Sequence, residues 1–468
     1  MSTPGSRPEG GGAIRQEGGI ISRLPVALLT TLVGIGALVW FLVRTGTKPS
    51  RAAYPCQRVA LSTSWSFLVL PLFVWVPRHM RGKSRRAVVA GLVAVAVIAV
   101  SLAFQTGLIF GASEKRGWEQ DAWLAALSER APEPLLPGRV VHVTDARATS
   151  WDFETGWYGD YIDQEVVTKM VEDGLVSLTG AETTRDAWEL LIPDFEPGQR
   201  VAIKVNLNNT RSEQPGNAID AVIEPINAVL DGLVERGFEP SDITVYDVTL
   251  GAHEGHMPGH LPERCAYEGV NFVAYVGNTS PYSSETVSFD PALRKPISDR
   301  PLARVLVEAD YLINMPIAKA HDFAGMSVSF KNHFGSIERC DHLHPYVFQR
   351  VDTYTPTYNP MLELYANEHV GGKTVLTVCD ALFGTCTHLW SAPTRWPTCA
   401  GPPNSILLST DPVALDSVVA DMLAAQGAIP DNADDYLVLA GEAGMGVYER
   451  AGGDGDYAVI DYVHIQRP

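Results

Sequence analysis

Acidic side chains are nearly missing from the first 111 residues, which hold Glu9 and Glu17 against 12 Lys and Arg. The rest of the 468-residue chain reverses this balance, with 24 Lys and Arg against 52 Asp and Glu, so two unlike parts are joined. The acidic part has no basic excess, which excludes electrostatic binding of nucleic acid. Its length and apolar content exclude intrinsic disorder and allow one large or two ordinary domains. Cysteine is scarce as well: there are six and no C-x-x-C, which argues against a cysteine-only iron–sulfur or zinc module. No G-x-G-x-x-G follows a strand-like run and no G-x-x-x-x-G-K-[ST] occurs, so both nucleotide fingerprints are lacking.

What the first part does contain is three uncharged apolar runs, at residues 24–43, 59–76 and 87–111. About 20 apolar residues cross a bilayer, so the runs read as a three-span anchor, with Trp40, Trp65 and Trp75 as interfacial residues. The second run is the shortest and contains Pro71. The loop Arg78-His-Met-Arg81-Gly-Lys83-Ser84-Arg85-Arg86 concentrates five cations and is expected to stay cytoplasmic, which puts the acidic domain outside the cytoplasm. Ser84-Arg85-Arg86-Ala-Val88-Val89, running into an Ala/Val/Gly-rich span, resembles a twin-arginine export signal. The expected organisation is a cytoplasmic tail at 1–23, the anchor at 24–111, a linker at 112–139 and an extracytoplasmic domain at 140–468. Cys379 with Cys386 or Cys399 are the nearest candidates for disulfides in that compartment.

Residues 112–139, with Pro132, Pro134 and Pro137, read as a helix followed by a tether. The domain then alternates strand and helix signals. Strands are expected at 140–144, 200–205, 243–246, 271–275, 311–314, 374–378 and 405–408. Helices are expected at 164–178, 218–236, 326–334, 360–369 and from Pro412 to 426. This order predicts an α/β fold, a mostly parallel sheet with helices on both faces. In such sheets ligands gather beyond the carboxyl ends of the strands.

The residues at those ends are Asp145, Lys204, Asn206, Asp247, Asn314, Lys319, His321, Lys331, Asn332, Asp380, Asp411 and Asp416. Lys204, Lys319 and Lys331 with Asn206, Asn314 and Asn332 make a cationic, donor-rich set suited to a phosphate or carboxylate. A buried lysine there can act as a base. Lys319, His321 and Lys204 are the catalytic candidates, and Asn206, Asn314, Lys331 and Asn332 the ligand-binding ones. Structural pairing of the lysines with the aspartates is the alternative. Two histidine clusters point to a metal: His253, His256 and His260 after the third strand, and Cys340, His342 and His344 further on. With Asp380 and Asp416 they are the candidate ligands for a divalent or transition metal of undetermined identity. Solvated loop histidines are the alternative. His253 and His256 are three apart, so a helical H-E-x-x-H protease site is excluded.

The same residues carry a resemblance. Lys204-Val-Asn206, Asp247, Ala309-Asp310-Tyr-Leu-Ile-Asn314-Met-Pro316 with Lys319-Ala-His321, Ser329-Phe-Lys331-Asn332-His-Phe-Gly335, and Ser409-Thr-Asp411-Pro412-Val-Ala-Leu-Asp416 are similar to successive blocks of the domain of unknown function 362 family. The resemblance runs from about Arg139 to the C-terminus, and Asp145-Ala-Arg-Ala-Thr149 is similar to exported members. It implies a redox or metal-dependent role. Iron–sulfur clusters, found in some members, are not implied, because the cysteine motif is missing. The βαβ unit and its Gly-Ala-His loop also weakly resemble lactate-racemase-like α/β domains.

The expected function is a membrane-anchored, extracytoplasmic enzyme, metal-dependent or redox, acting on a small anionic ligand. The alternative is a non-catalytic metal- or cofactor-binding or assembly subunit that meets a membrane-protein partner.

Overall fold

Val140 to Val143 are four apolar or aromatic residues ending in a polar pair, and they form the buried body of strand β1, Arg139–Asp145. The computed structural model describes residues 117–468 except 210–215, 250–256, 275–279, 291–292, 294, 387–390, 429–431, 454 and 468, together with residues 35 and 38–40. The chain divides into two units, Met1–Trp118 and Glu119–Pro468. The three apolar runs of the first unit lie outside the described residues, apart from residues 35 and 38–40, which are helical. The arginine-rich loop and Cys56 also lie outside them. Among the described residues, no helix is long and apolar enough to cross a membrane.

The second unit is built on a ten-stranded sheet. Its strands are β1, β2 (Val201–Lys204), β3 (Ile243–Asp247), β4 (Asn271–Ala274), β7 (Tyr311–Asn314), β8 (Ile317–His321), β9 (Gly325–Ser327), β10 (Thr374–Thr385), β11 (Ser405–Ser409) and β12 (Asp461–Arg467). The order is β12-β1-β11-β10-β7-β2-β3-β4, with β8 also pairing β10 and β9. Strands β5 (Tyr282–Val287) and β6 (Arg300–Ala303) form a separate antiparallel pair. Only β11 and β9 run against the others, so the expected mostly parallel sheet is present and the carboxyl ends of β1, β2, β3, β7 and β10 share one edge.

Neighbouring residues along each strand enter opposite layers, as the pleat requires. Ala202, Leu312 and Leu407 join one hydrophobic cluster. Ile203, Ile313 and Leu408 join the other. Helices α2 (Gln164–Thr179), α3 (Thr184–Leu191) and α4 (Ile223–Arg236) cover the second face. Helices α5 (Pro412–Ala425) and α6 (Ala433–Glu442) lie in the first layer. Preceding them all, α1 (Gly117–Ser128) buries Trp123 and Leu127 in that layer. Capping follows the sequence: Asp163 accepts from Val166 N at the start of α2, and Asp411 from Val413 N and Ala414 N at the start of α5.

Several boundaries depart from expectation: the helix expected at 360–369 ends at Tyr365, and the strand expected at 374–378 runs on to Thr385. Helix α4 starts at Ile223, not 218, because Pro225 has no N–H to offer Ala221 and its ring would meet that carbonyl. Residues 326–334 are not one helix: β9 comes first, then a short helix Ser329–Asn332 and a 3-10 turn His333–Ser336. Residues 317–321 form a strand of their own. All five described cysteines, Cys265, Cys340, Cys379, Cys386 and Cys399, are free thiols, so the expected bridges among them are corrected.

Candidate functional site

The βαβ unit of β2, α4 and β3 sets Lys204 and Asp247 at the ends of adjacent parallel strands, where the two side chains pair at 3.3 Å. Lys204 Nζ also donates to Val205 O and to Asn332 Oδ1, the latter at 3.3 Å. Asp247 Oδ2 accepts from Leu207 N at 2.8 Å, and its Oδ1 accepts from Thr249 N and Oγ1. Burial lowers the Lys204 pKa and the Asp247 charge counters that. Gly335 closes over the pair: a Cβ there would lie 2.3 Å from Asp247 Oδ1 and 2.7 Å from Lys204 Nζ.

Asn332, on the short helix after β9, is the hub. Its Oδ1 accepts from Asn206 Nδ2 at 3.2 Å, and its Nδ2 donates to Asn314 Oδ1 at 2.8 Å and to Lys204 O at 3.2 Å. Asn314 Nδ2 in turn donates to Ser329 O. Asp416, on α5, accepts from Ser329 N and from Tyr436 OH, each at 2.8 Å, and so fastens that short helix. Burial pushes the Asp416 carboxyl up to about 6.

Two further lysines border this network. Lys319 is fully buried and donates to Asn206 Oδ1 at 2.8 Å and to Ile219 O at 3.5 Å. Burial brings its pKa down to about 8, with Asp220 and Asp247 opposing. Lys331 is 8 % exposed, and its Nζ stands 3.9 Å above the centre of the Phe334 ring. It has no hydrogen-bond acceptor among the described residues, and burial brings it to about 8 as well. His321 Nδ1 accepts from Phe323 N at 3.1 Å and from Ala324 N at 3.2 Å. Two donors on Nδ1 leave the ring proton on Nε2, and burial holds the pKa well below the usual histidine value. His321 is therefore a neutral donor stacked 5.8 Å from the His344 ring.

An acidic group lies beside the lysines. Tyr158 OH donates to Asp220 O and accepts from Asp220 N. Asp380 stands where β10 meets β8 opposite Ile317; its Oδ1 accepts from Leu382 N, and burial raises its carboxyl to about 7. Glu224 opens α4, whose N-cap Val222 makes no side-chain cap. Its carboxyl is pushed up to about 7 by burial, against its own backbone N–H and Arg264, while Asp380 and Asp160 add to the rise. Glu224 Oε2 is buried without a partner. Tyr158, Asp220 and Glu224 are absent from the sequence-derived set. The Glu224-Pro225 step is the signal for Glu224, since it places the helix start there.

The candidate metal ligands are dispersed. His253 and His256 lie outside the described residues. His260 sits against Trp157, its Nε2 3.2 Å from Ala221 O. His342 is exposed beside Arg339 and Asp341. Cys340 is buried near Lys331, and burial raises its thiol to about 11. Asp416 is committed to Ser329 and Tyr436. Among the described residues, no group of three or more His, Cys, Asp and Glu could hold a metal ion. A cleft of about 210 Å³ between Pro132, Leu190, Tyr365 and Thr374 lies at the start of β10, away from these groups.

The model of a family described as domain of unknown function 362 matches residues 201–421, and this supports that family for the chain. All five blocks from Lys204 to Asp416 fall inside the match; the Asp145–Thr149 block falls outside it. No curated protein matches the sequence. Among solved structures, the chain is similar to the lactate racemase apoprotein from Thermoanaerobacterium thermosaccharolyticum, with 16% identity, a TM-score of 0.31, and 54% of each chain covered. It is also similar to a protein from Thermotoga maritima, with 14% identity, a TM-score of 0.30, and 48% of this chain and 51% of that one covered. The chain thus spans about half the length of each of these proteins.

Proposed function

We propose that the strand-end cluster binds a small anionic ligand and carries out proton transfer on it, as the extracytoplasmic part of a membrane-anchored enzyme. The observation that supports this best is Lys331, whose ammonium lies over the Phe334 ring and makes no hydrogen bond to a described residue. An anion that reached it would gain a charge-assisted hydrogen bond. Lys204 is tied to Asp247 and shapes the floor through Asn332. Lys319, held by Asn206 and brought to about 8, is poised to take or return a proton near neutral pH. His321, with its proton on Nε2, can donate a hydrogen bond to a ligand oxygen. Orientation of the domain rests on the basic loop at residues 78–86 and the positive-inside rule.

A metal enters this reading only through His253 and His256, and no step above runs through one. A redox version requires a metal or chromophore, for which visible absorbance of the protein as isolated is the check.

Titration calorimetry of the detergent-solubilised chain with propionate and with inorganic phosphate tests the binding. Wild type is expected to bind at least one of them, and Lys331→Met to lose that binding. Exchange of deuterium from D2O into the bound carboxylic acid, followed by NMR, tests the proton transfer. The second reading, a non-catalytic binding or assembly subunit, is favoured by the closed pairing of Lys204, Asp247, Asn206, Asn314 and Asn332. It expects binding without exchange, or no binding at all.

A further inference from the structure

The two edges of the ten-stranded sheet are unlike. Strand β4 closes one edge with only four residues, Asn271–Ala274. Strand β12 ends the other with seven, Asp461–Arg467, paired to β1 without a break in register and, among the described residues, to no other strand. Proteins protect a long edge with proline, lysine or a bulge, and β12 has none of the three. Asp461 N donates to Gly138 O on the β1 side. The main-chain groups of residues 461, 463, 465 and 467 are therefore directed at β1, and those of His464 and Gln466, with the Tyr462 carbonyl, at the open edge. Tyr462 N turns back to Ile460 O.

Along that edge the strand is complementary to itself. We propose that a second copy of this chain docks on β12, joining the two sheets through an antiparallel strand pair with its two-fold axis at His464. The open main-chain groups then face each other: His464 meets the partner's His464, and Gln466 N reaches the partner's Tyr462 O. The same register sets Val463 against the partner's Ile465 and Asp461 against the partner's Arg467, at the positions where opposed side chains come closest. Both charges have an atom to offer. Asp461 is 58 % exposed and accepts from Arg139 through Oδ2 alone. Arg467 donates Nε to Asp145 and Nη1 to Asp173, which leaves Nη2 without a partner among the described residues. Moving the axis to Val463 would set Asp461 against the partner's Ile465, and moving it to Ile465 would set Arg467 against the partner's Val463, so charge pairing selects His464.

Sedimentation velocity of the full chain in detergent micelles tests this, and wild type is expected to be a dimer that dissociates on dilution. Asp461→Arg brings like charges together, and Gln466→Pro removes an outward N–H that β1 does not use. Each is expected to weaken dimerisation about tenfold or more with circular dichroism unchanged. The axis also sets position 464 against itself, with Cα atoms about 5.5 Å apart, which is within disulfide reach. Copper oxidation of His464→Cys is therefore expected to give more disulfide-linked dimer than wild type, and Gln466→Cys is not. A monomeric wild type overturns the proposal. So does a dimer that either folded variant leaves intact, the lack of added linkage at position 464, or linkage at 466 as strong as at 464. The cross-link does not depend on either disruptive variant folding.

Discussion

Lys204 at the end of β2 and Asp247 at the end of β3 form a 3.3 Å ion pair from which water is excluded. Removing one member of such a pair leaves the other charge buried alone, a loss of about 3–5 kcal/mol. Asp247→Asn is therefore expected to lower unfolding stability by about that amount in urea titrations. Replacing both residues, as Lys204→Met with Asp247→Leu, is expected to recover part of the loss, although Leu207 N and Thr249 N still lack their acceptor. A double variant less stable than the single one would show that the pair itself is not the source.

The same pair explains Gly335. Its Cα lies so near that a methyl group would collide with the Asp247 carboxylate and the Lys204 ammonium, both clamped by other bonds. Gly335→Ala is expected to cost about 1–3 kcal/mol by overpacking. Crystallography or NMR of the variant should show Asp247 displaced from Leu207 N, and an unchanged melting temperature would contradict the account.

These relationships were open to sequence reasoning to different depths. Lys204, Asn206 and Asp247 follow from strand-helix alternation alone, because strand ends in a parallel sheet share an edge. Pro316 reads as the end of a strand, yet the chain continues directly into β8, with Pro316 O accepting from Asp380 N. Lys319 therefore lies inside a strand rather than in a loop after one. Strand β12 carries a period of two, Val463 and Ile465 between Tyr462, His464 and Gln466, and pairs in parallel with β1 from a distance that no local pattern encodes. Burial of Glu224 is invisible in sequence, where a glutamate in the first turn of an amphipathic helix looks solvated. The proton position on His321 depends on the turn that brings two backbone N–H groups to Nδ1, which is a tertiary fact.

Helix α1 is held by another buried carboxyl. Glu363 accepts from Trp123 Nε1 at 3.1 Å and from Tyr358 OH, and the rings of Trp123 and Tyr358 lie 5.0 Å apart. Burial raises Glu363 from its ordinary value to about 7. The folded state thus holds a proton that the unfolded chain releases near pH 4.5, so this contribution is greatest at low pH and declines as pH rises through 7. Proteolytic protection of the segment around residue 130 is expected to fall between about pH 4.5 and 7 and to level off above that, by up to about 3 kcal/mol of local opening free energy. Glu363→Gln should flatten that profile.

Ligand binding has its own pH signature, set by Lys331 and Lys319. Both are brought to about 8 by burial, so each is cationic at pH 6 and loses its charge as pH climbs past 8. Affinity for an anion should be flat below pH 7 and fall about tenfold per pH unit above 8, for each lysine that must be charged. The bound anion raises the pKa of the lysine it contacts, which shifts the onset of the fall upward in the complex and makes binding take up protons near pH 8. Calorimetry in buffers of different ionisation enthalpy measures that uptake directly. In Lys331→Met the uptake should shrink and the affinity should become weak at every pH. An affinity for propionate or phosphate that stays constant from pH 6 to 10 would mean that neither lysine meets the ligand.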